Sequence, residues 1–305
     1  MELLTHNMRQ ELQGVCGQVF FDEPMSRYTS IRIGGPADAL VYPKSVDELV
    51  QLLQWTRQHR LPLFVLGAGS NLLVRDKGIR GIVVSLAQGF SQIRLEPPDT
   101  LYAEAGVGIP RLVDQAGEFG LSGLEPLAGI PGNLGGALVM NAGTHDGEIG
   151  PRVESVTFLE KDGRITTWKQ EKIGFAYRET HFPRGSILLS ARLKLTAALP
   201  EVIKEKIRKS RQRRTETQPL NLPNLGSVFK NPQKNRFAGQ LIEESGLKDV
   251  RVGGARISPK HANFIVNEGK ASAKDVLTLV GLIQDKVKEK FGVNLETEVR
   301  LVGEE

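Results

Sequence analysis

The sequence contains a single cysteine, Cys16, among its 305 residues. A lone cysteine excludes an intrachain disulfide, and its isolation favours a reducing cytoplasm over an oxidising compartment. No stretch approaches eighteen consecutive apolar residues, so the sequence predicts no membrane-spanning helix and no membrane partner. The first residues, MELLTHNMRQELQG, include acidic side chains and no long apolar block, which argues against a secretory signal.

Motifs of several common enzyme classes are also missing. The five histidines lie far apart and form no HxH or HExxH pattern, which disfavours a zinc site. We therefore predict no metal site. The sequence also lacks GxSxG and a P-loop lysine, which disfavours serine hydrolases and P-loop nucleotidases.

The composition of the chain is ordinary, but its charge is unevenly distributed along the sequence. Apolar residues make up 40% and charged residues 25% of the chain, values typical of a globular protein. The net charge is +5, and much of the excess lies in KEKIRKSRQRR, residues 204–214. A solvated helix face explains this run most simply. It lacks the interleaved aromatic residues of nucleic-acid grooves, so we predict no nucleic-acid partner, although a small polyphosphate would suit it.

The first half of the chain alternates helix and strand patterns. Ser45 and Glu48 have capping-box spacing ahead of an apolar stripe, which predicts a helix within residues 45–60. The other elements predicted here are a buried strand at 61–66, a buried strand at 82–86 and a helix from Pro110 to Gly120.

Beyond residue 150 the pattern shifts towards hairpins. Lys161-Asp162-Gly163 is a hairpin turn motif between two strand-like runs, 153–160 and 164–169. The other predicted elements are a strand at 186–195, a basic helix after Pro200, helices near 236–245 and 272–290, a strand near 262–266 and a last strand at 295–302. We predict an α+β protein with a domain boundary near residue 199.

The segment GAGSNLLVRD, residues 67–76, directly follows the first predicted buried strand. Glycines there allow successive backbone N–H groups to converge on an anion, and Ser70 and Asn71 add donors. It is not a Rossmann fingerprint, because Leu72 stands where the third glycine belongs. A tight strand-to-helix turn is the alternative interpretation.

A second glycine-rich segment, GLEPLAGIPGNLGGALVMNAG, covers residues 123–143. Four glycines surround Pro131, so a flat ring or a diphosphate can approach this backbone closely. Asn133 is placed to cap the helix that follows, which would leave the helix N-terminus facing negative charge. Together the two segments suggest a dinucleotide that spans both, and a glycine-rich packing crossover is the alternative.

These two segments and four others resemble the motifs of the UDP-N-acetylenolpyruvoylglucosamine reductases, the MurB family of flavoenzymes. The matching segments are YTSIRIGGPA at 28–37, GAGSNLLVRD at 67–76, GIPGNLGGALVMNAG at 129–143, FAYRET at 175–180, GSVFKNP at 226–232 and LETEVRLVG at 295–303. They occur in the family's order and span nearly the whole chain. The short C-terminal part resembles the shorter of the family's two types (type II), which lacks an additional substrate-covering loop.

The resemblance implies an FAD-binding module of the vanillyl-alcohol-oxidase/PCMH type, with two subdomains, in residues 1–199. Residues 200–305 would then form an α+β substrate-binding domain whose last strand returns to the active site. It implies noncovalently bound FAD, NADPH as the reductant, and reduction of the enolpyruvyl group of a UDP-sugar to give UDP-N-acetylmuramate. The implied role is cytoplasmic peptidoglycan precursor synthesis, on which cell wall biogenesis, cell shape, the cell cycle and cell division depend.

The family's catalytic positions fall on Arg178, Ser227 and Glu298, and all three residue types match. Hydride addition to an enol ether beside a carboxylate leaves an enolate-like dianion, which positive charge and a nearby proton donor stabilise. The resemblance implies that Arg178 binds and neutralises this anion, that Ser227 donates the proton and that Glu298 stabilises the enolate. From the residues alone, Ser227 is more simply a turn-capping hydroxyl.

Glu298 belongs to the predicted last strand, where a two-residue period places it on the same face as Glu296 and Arg300. The opposite face would carry Leu295, Thr297, Val299 and Leu301. To donate a proton, Glu298 would need a pKa raised by burial. An exposed, salt-bridged strand face is the alternative interpretation.

Cofactor contacts are expected at Gly67, Ala68, Gly69, Ser70, Asn71, Gly129, Ile130, Gly135, Asn141 and Arg300. Substrate contacts are expected at Tyr177, Arg214, Lys230 and Asn231, with His261 and Asn263 as further candidates for the sugar or base. Lys230 is also placed to assist Ser227 electrostatically.

Two other functions stay open at this point. One is an oxidase of the same flavoprotein superfamily, which the segments at 226–232 and 295–300 disfavour because they match the reductases. The other is a nucleotide- or nucleic-acid-binding module built on the basic helix. The sequence leaves the oligomeric state open, and a monomer is compatible with it.

Overall fold

Helices and strands are mixed along the chain, in agreement with the predicted α+β class. The computed structural model of the protein describes residues 3–232 and 236–305. The helices are α1 (His6–Val15), α2 (Val46–Gln58), α3 (Ile109–Glu118), α4 (Leu134–Val139), α5 (Gln170–Ile173), α6 (Pro200–Thr217), α7 (Ala238–Glu244) and α8 (Ala273–Phe291). Short 3₁₀ helices lie at Met25–Arg27, Glu125–Leu127 and Gly150–Arg152.

The strands are short and belong to several small sheets. They are β1 (Val19–Pro24), β2 (Pro36–Val41), β3 (Leu63–Leu66), β4 (Leu72–Val74), β5 (Ile79–Ser85), β6 (Ile93–Glu96), β7 (Thr100–Glu104), β8 (Leu121–Ser122), β9 (Gly143–Thr144), β10 (Gly147–Glu148), β11 (Val153–Leu159), β12 (Ile165–Lys169), β13 (Ile187–Lys194), β14 (Thr196–Ala197), β15 (Arg251–Val252), β16 (Ala255–Ile257), β17 (Ile265–Asn267) and β18 (Arg300–Val302).

The chain divides into two compact units that are each built from separate stretches of sequence. The first unit comprises Met1–Phe21, Ala39–Ala68 and Gly81–Arg213. The second comprises Asp22–Asp38, Gly69–Arg80 and Arg214–Glu305. The assignment of residues 1–199 to the cofactor and 200–305 to the substrate remains a prediction, and the compact units follow a different division.

The first unit is organised around an antiparallel sheet with the strand order β12-β11-β13-β7-β6. The predicted hairpin at 153–169 forms its β11–β12 edge, and the predicted strand at 186–195 is β13 at its centre. Leu101, Val156 and Leu193, from three of its strands, are fully buried in one core. In the central strand β13 the consecutive residues 187–191 are all buried, and because successive side chains point to opposite faces, both faces of the sheet are covered there.

A second sheet has the order β1-β2-β5-β3, in which β3 pairs with β5 in parallel. The predicted strands at 61–66 and 82–86 are thus confirmed as β3 and β5. The prediction that both are buried is wrong for β3, where Val65 is 38% exposed and Leu66 alone is buried. Since β3 is an edge strand with one neighbour, its side chains are less covered than those of β5.

Helix α6 carries the basic run, and most of its length lies in the first unit. Ile203 and Ile207 are buried in that unit's core, and Arg211 forms an ion pair with Asp114 at 2.7 Å. The polar side chains between these anchors are largely exposed. This packing explains why the first compact unit extends to Arg213 rather than ending near residue 199.

The second unit has its own core, in which α7, α8 and the sheet β15-β16-β17 pack together. Helix α8 begins with a capping box formed by Ser272 and Asp275. Asp76, the last residue of the first glycine-rich segment, adds a second cap by accepting the backbone N–H groups of Ala273 at 2.8 Å and Lys274 at 3.2 Å. The segment is therefore tied to the start of this helix.

The last predicted strand is much shorter than expected. Only Arg300–Val302 form a regular strand, β18, which pairs in parallel with β4. The expected burial of the face that carries Leu295, Thr297, Val299 and Leu301 is also incomplete, because Thr297 and Leu301 are exposed. Thr297, Val299 and Leu301 nevertheless line one apolar pocket of about 90 Å³, so they share a face as predicted.

We predict that Cys16 is chemically inert in the folded protein. Its side chain is fully buried, and this desolvation, with a smaller effect of the Glu48 carboxylate, raises the pKa of the thiol to about 12. At pH 8 only about one thiol in 10⁴ would be ionised. Reaction with a thiol-specific reagent should therefore follow the unfolding curve in urea, whereas rapid labelling without denaturant would contradict this prediction.

Candidate functional site

The two glycine-rich segments meet within the first unit. A Cβ atom on Gly67 would lie 3.9 Å from the Cα of Gly136, and one on Gly136 would have no atom within 4 Å. Two backbones without side chains therefore face the same open space, which is the arrangement that lets a diphosphate or a ring approach the main chain. The contact of these glycines with a cofactor remains a prediction.

The N-terminus of α4, in the second glycine-rich segment, differs from expectation. Asn133 does occupy the N-cap of α4, but its side chain makes no capping hydrogen bond. The first two amides of the helix, at Leu134 and Gly135, donate to the carbonyls of Val107 and Ala105 at 2.8 Å each. These two donors are already used inside the chain, so they are not available to an anion, and the approach of an anion to this helix end remains a prediction.

Gly69 lies in the second unit, at a position that only glycine fits. Its φ is +64°, and a Cβ there would overlap the carbonyl oxygen of Tyr28. Its own carbonyl accepts the N–H of Ser30 at 3.1 Å. The glycine therefore allows residues 28–30 to pack directly on the segment 69–71.

Asn71 connects this segment to the C-terminal one. Its side-chain amide donates to the carbonyl of Glu298 at 3.0 Å, and its backbone carbonyl accepts the N–H of Arg300 at 3.1 Å. The backbone on both sides of Val299 is thus held by one residue. The predicted cofactor residue Asn71 positions Glu298, whatever else it contacts.

Ser227 lies on a turn that is organised from its N-terminal side by Asn224. The Asn224 side chain accepts the N–H of Gly226 at 2.9 Å and donates to the carbonyl of Leu222 at 2.8 Å. The Asn224 carbonyl accepts the hydroxyl of Ser30 at 2.6 Å. Gly226 itself has a φ of +71°, which favours glycine at this turn.

The C-terminal side of the turn brings Ser227 and Glu298 together. The carbonyl of Val228, the residue after Ser227, accepts the N–H of Glu298 at 2.8 Å. The neighbouring residues Phe229 and Thr297 form a β-bridge. Two of the three predicted catalytic residues, far apart in sequence, are therefore neighbours within the second unit.

Asn263 holds this turn by hydrogen bonds to the backbone of the two residues after Ser227. Its buried side chain accepts the N–H of Phe229 at 2.9 Å and donates to the carbonyl of Phe229 at 2.8 Å. Its backbone carbonyl accepts the N–H of Val228 at 2.9 Å. Asn263 was a candidate for the sugar or base, but both polar ends of its side chain bind the main chain beside Ser227. Its apolar neighbours in HANFIVN were the indication that its amide is buried.

Replacing Asn263 with alanine should lower the free energy of unfolding by about 3 kcal/mol. The substitution leaves one buried N–H and one buried C=O of Phe229 without partners, and each loss costs about 1–3 kcal/mol. Urea denaturation measures the change. A loss below about 0.5 kcal/mol, the range of neutral surface substitutions, would show that the clamp on Phe229 is unimportant.

Arg178 lies in the first unit at the tip of a tight turn. The backbones of Ala176 and Glu179 exchange hydrogen bonds across the turn, and Arg178 has a φ of +57°, which is uncommon for a residue other than glycine. Its guanidinium donates to the carbonyl of Gly143 at 3.0 Å and lies 3.5 Å from the Glu148 carboxylate. An unfavourable backbone conformation held in this way is typical of functional positions.

The surroundings of Arg178 include two further predicted residues. The Tyr177 ring, 45% exposed, lies with its centroid 4.9 Å from the guanidinium carbon. Asn141 is 2% exposed, and its side chain donates to Glu148 at 2.8 Å and to the Ala176 carbonyl at 2.9 Å. Its amide oxygen accepts the N–H of Gly150 at 3.0 Å. The Asn141 side chain is thus used inside the chain, and its contact with a cofactor remains a prediction.

The predicted substrate residues of the Ser227 turn also have partners. The Lys230 ammonium forms an ion pair with Glu296 at 2.6 Å, and the backbone N–H of Lys230 donates to the Glu296 carbonyl at 2.9 Å. The Asn231 side chain accepts the N–H of Ala238 at the start of α7 at 3.0 Å. Both contacts fix the segment after Ser227, and substrate contacts by these residues remain predictions.

Arg214 is half-buried on the last turns of α6. Burial lowers the pKa of its guanidinium below the ordinary value. Its Nε and the Oε1 of Gln218, one helical turn later, are buried without a hydrogen-bond partner among the residues that the structure describes. A cationic group in such surroundings favours an anionic ligand, and the contact of Arg214 with a diphosphate remains a prediction.

The remaining predicted cofactor residues include both exposed and half-buried positions. Ala68 and Arg300 are exposed, whereas Ser70 and Ile130 are half-buried. Gly129 has a φ of +82°. Gly135 has little spare room, since a Cβ there would lie 3.2 Å from that of Ala105. The relation of Arg178 to the pair Ser227 and Glu298 likewise remains a prediction.

The described parts of the chain, 3–232 and 236–305, contain neither a metal-binding cluster nor a helix able to span a membrane. No three His, Cys, Asp or Glu side chains there are grouped so that they would hold a metal ion. None of the helices in these ranges combines the length and the apolar character needed to cross a bilayer.

Two family models match the chain. Residues 37–169 match the model described as "FAD binding domain". Residues 218–302 match the model described as "UDP-N-acetylenolpyruvoylglucosamine reductase, C-terminal domain". The first range contains Gly67, Gly136 and Asn141, and the second contains Ser227 and Glu298. Each compact unit therefore contains candidate residues that lie within a matched range.

Individual relatives match over nearly the whole chain. A UDP-N-acetylenolpyruvoylglucosamine reductase of Alkaliphilus oremlandii is 46% identical over 94% of this chain and 94% of its own. One of Caldanaerobacter subterraneus subsp. tengcongensis is 43% identical over 99% of both chains. The crystal structure of such a reductase (MurB) from Thermus caldophilus superposes with a TM-score of 0.80 at 40% identity, over 93% of this chain and 98% of the other.

Proposed function

Because the chain belongs to the UDP-N-acetylenolpyruvoylglucosamine reductases, a family of FAD-dependent oxidoreductases, we propose that it reduces UDP-N-acetylglucosamine enolpyruvate to UDP-N-acetylmuramate. NADPH is the electron donor in this proposal. The observation that supports it most is the match to the reductase C-terminal domain over 218–302, which includes the neighbours Ser227 and Glu298. The proposal places the reaction in the cytoplasm, in peptidoglycan precursor synthesis.

The cradle of Gly67 and Gly136 fits FAD, since neither glycine presents a side chain to the open space beside it. We propose that these residues, with Ala68, Gly129, Ile130 and the segment 69–71, hold the cofactor noncovalently. When bound, FAD supplies hydride transfer from NADPH to the substrate. The residues of the chain must then bind the enolpyruvyl group and deliver a proton.

The chemistry required of the protein is stabilisation of an anion. The net reaction adds a hydride and a proton across the carbon–carbon double bond and oxidises NADPH to NADP⁺. After hydride addition the second carbon, next to the carboxylate, carries the electron pair. Arg178 neutralises the carboxylate side of this anion with a planar cationic fork, and Ser227 donates its hydroxyl proton to the carbon. Glu298 stabilises the enolate from the position beside Ser227.

The rest of the substrate is a UDP-sugar, whose diphosphate needs a cation. Arg214 is the residue that we propose for it, because its half-buried guanidinium has an Nε without a partner among the described residues. Tyr177, Lys230 and Asn231 are proposed as further substrate contacts. This assignment predicts that Arg214→Ala raises the KM for the UDP-sugar more than it lowers kcat.

Anaerobic absorbance measurements test the proposed function. The purified protein should show flavin bands that NADPH bleaches and that stoichiometric UDP-N-acetylglucosamine enolpyruvate restores, with UDP-N-acetylmuramate as the product. Bands that bleach with an alcohol or a sugar and recover only with oxygen would indicate an oxidase instead. A colourless protein that binds polynucleotide would contradict the proposal altogether.

A further inference from the structure

The hairpin of β9 and β10 places a carboxylate beside the predicted catalytic arginine. In its register Glu148 lies directly opposite Gly143. The carbonyl of Gly143 accepts one terminal N–H of Arg178 at 3.0 Å, and a Glu148 oxygen lies 3.5 Å from the other terminal nitrogen. Two cross-strand neighbours thus contact the two arms of one guanidinium.

Gly143 is the residue that makes this arrangement sterically possible. A Cβ there would lie 2.6 Å from the Cα of Glu148 and 2.8 Å from its Cγ. Both distances are shorter than real Cβ contacts. The Glu148 side chain therefore passes over the space that a side chain at 143 would fill.

Asn141 fixes the carboxylate from its other side. Its amide donates to Oε2 of Glu148, while Oε1 is the oxygen nearest to Arg178. The same amide group donates to the carbonyl of Ala176, where the turn that carries Arg178 begins. The buried Asn141 side chain therefore holds both the Glu148 carboxylate and the backbone turn that carries Arg178.

From these contacts we propose that Glu148 is a positioning residue for Arg178, which orients the guanidinium towards the substrate carboxylate before the substrate binds. This inference rests on the proposed catalytic role of Arg178. The physical reason is that a long, flexible side chain on a strained turn needs a fixed acceptor, here the Gly143 carbonyl, and a fixed counter-charge, here Glu148, to hold one orientation. A displacement of about 1 Å at a reacting group costs roughly a hundredfold in rate.

The inference predicts that Glu148→Gln slows the reoxidation of the reduced flavin without weakening substrate binding. The substitution keeps the size of the side chain and an oxygen that can accept the Asn141 amide, but it removes the charge beside Arg178. With saturating substrate, reoxidation of the NADPH-reduced protein should slow between about tenfold and a hundredfold. The KM for the anionic substrate should stay equal or fall, because a neutral neighbour leaves more positive charge for the substrate.

A double-mutant cycle with Arg178→Ala distinguishes positioning from a general structural effect. When Arg178 is already absent, Glu148→Gln should change the reoxidation rate by less than about twofold, because its effect acts through the arginine. Glu179→Gln is the matched control. It makes the same chemical change beside Arg178 at an exposed carboxylate, which faces His181 at 3.8 Å, and should leave the rate near that of the unsubstituted protein.

Each outcome of stopped-flow measurements on the FAD-loaded proteins decides a different point. If Arg178→Ala does not slow reoxidation, the proposed catalytic role of Arg178 is wrong. If Arg178→Ala slows it but Glu148→Gln does not, or if the two losses multiply in the double variant, the positioning role of Glu148 is overturned. Flavin content and melting temperature identify a variant that has lost its fold. If Glu148→Gln is such a variant, the double-mutant cycle with Arg178→Ala is repeated with Glu148→Ala.

Discussion

Ser227→Ala should slow the reoxidation of NADPH-reduced protein by UDP-N-acetylglucosamine enolpyruvate about 10²- to 10⁴-fold, the usual contribution of a general acid. Alanine keeps the turn, because the bonds that hold it come from the backbones of Val228 and Phe229 and from the side chain of Asn224. The proton donor alone is removed. Flavin content and flavin reduction by NADPH should therefore stay unchanged.

Single-turnover stopped flow at the flavin absorbance band measures this step directly. Ser245→Ala is a suitable control, because Ser245 is another serine of the second unit whose hydroxyl donates to a helix carbonyl, that of Leu241. The control should reoxidise at the rate of the unsubstituted protein. If Ser227→Ala did so as well, another group would have to supply the proton.

Gly69→Ala is the substitution for which we expect the largest loss of stability, about 4 kcal/mol or more. A left-handed backbone conformation costs a non-glycine residue about 1–2 kcal/mol. The added Cβ would also overlap the carbonyl of Tyr28, which is main chain and cannot rotate away. The packing of residues 28–30 on the segment 69–71 must then change, so flavin content should fall as well.

Gly246→Ala separates the two contributions to this loss. Gly246 has a similar φ, +74°, but a Cβ there would have no atom within 4 Å. Only the conformational cost of about 1–2 kcal/mol applies to it. Urea denaturation of both variants gives the comparison. Equal losses in the two variants would show that the overlap with Tyr28 is relieved without cost.

The local elements were predictable because their determinants are local. Helix α2 begins after Ser45, whose hydroxyl accepts the N–H of Glu48 as the capping pattern requires. The hairpin of β11 and β12 forms around the predicted turn at 161–163. The burial of β3 was not predictable, since an apolar run does not tell a strand in the middle of a sheet from one at its edge.

The candidate site was predictable in its residue types and much less in its geometry. The contact of Asn71 with Glu298 joins residues 227 positions apart, and that of Asn263 with Phe229 joins two loops. No periodicity in the sequence encodes such pairs. Glu148 was missed for the same reason, because its importance depends on which residue lies opposite it in a two-residue strand.

The central claim is that Arg178, Ser227 and Glu298 act on one enolpyruvyl group. The most direct measurement is a crystal structure of the oxidised, FAD-loaded protein with UDP-N-acetylglucosamine enolpyruvate bound. We predict that Arg178 donates to the substrate carboxylate at about 3 Å, that the Ser227 hydroxyl faces the carbon next to this carboxylate, and that Glu298 contacts the same group. A complex in which any of the three side chains is turned away from the enolpyruvyl group would contradict the claim.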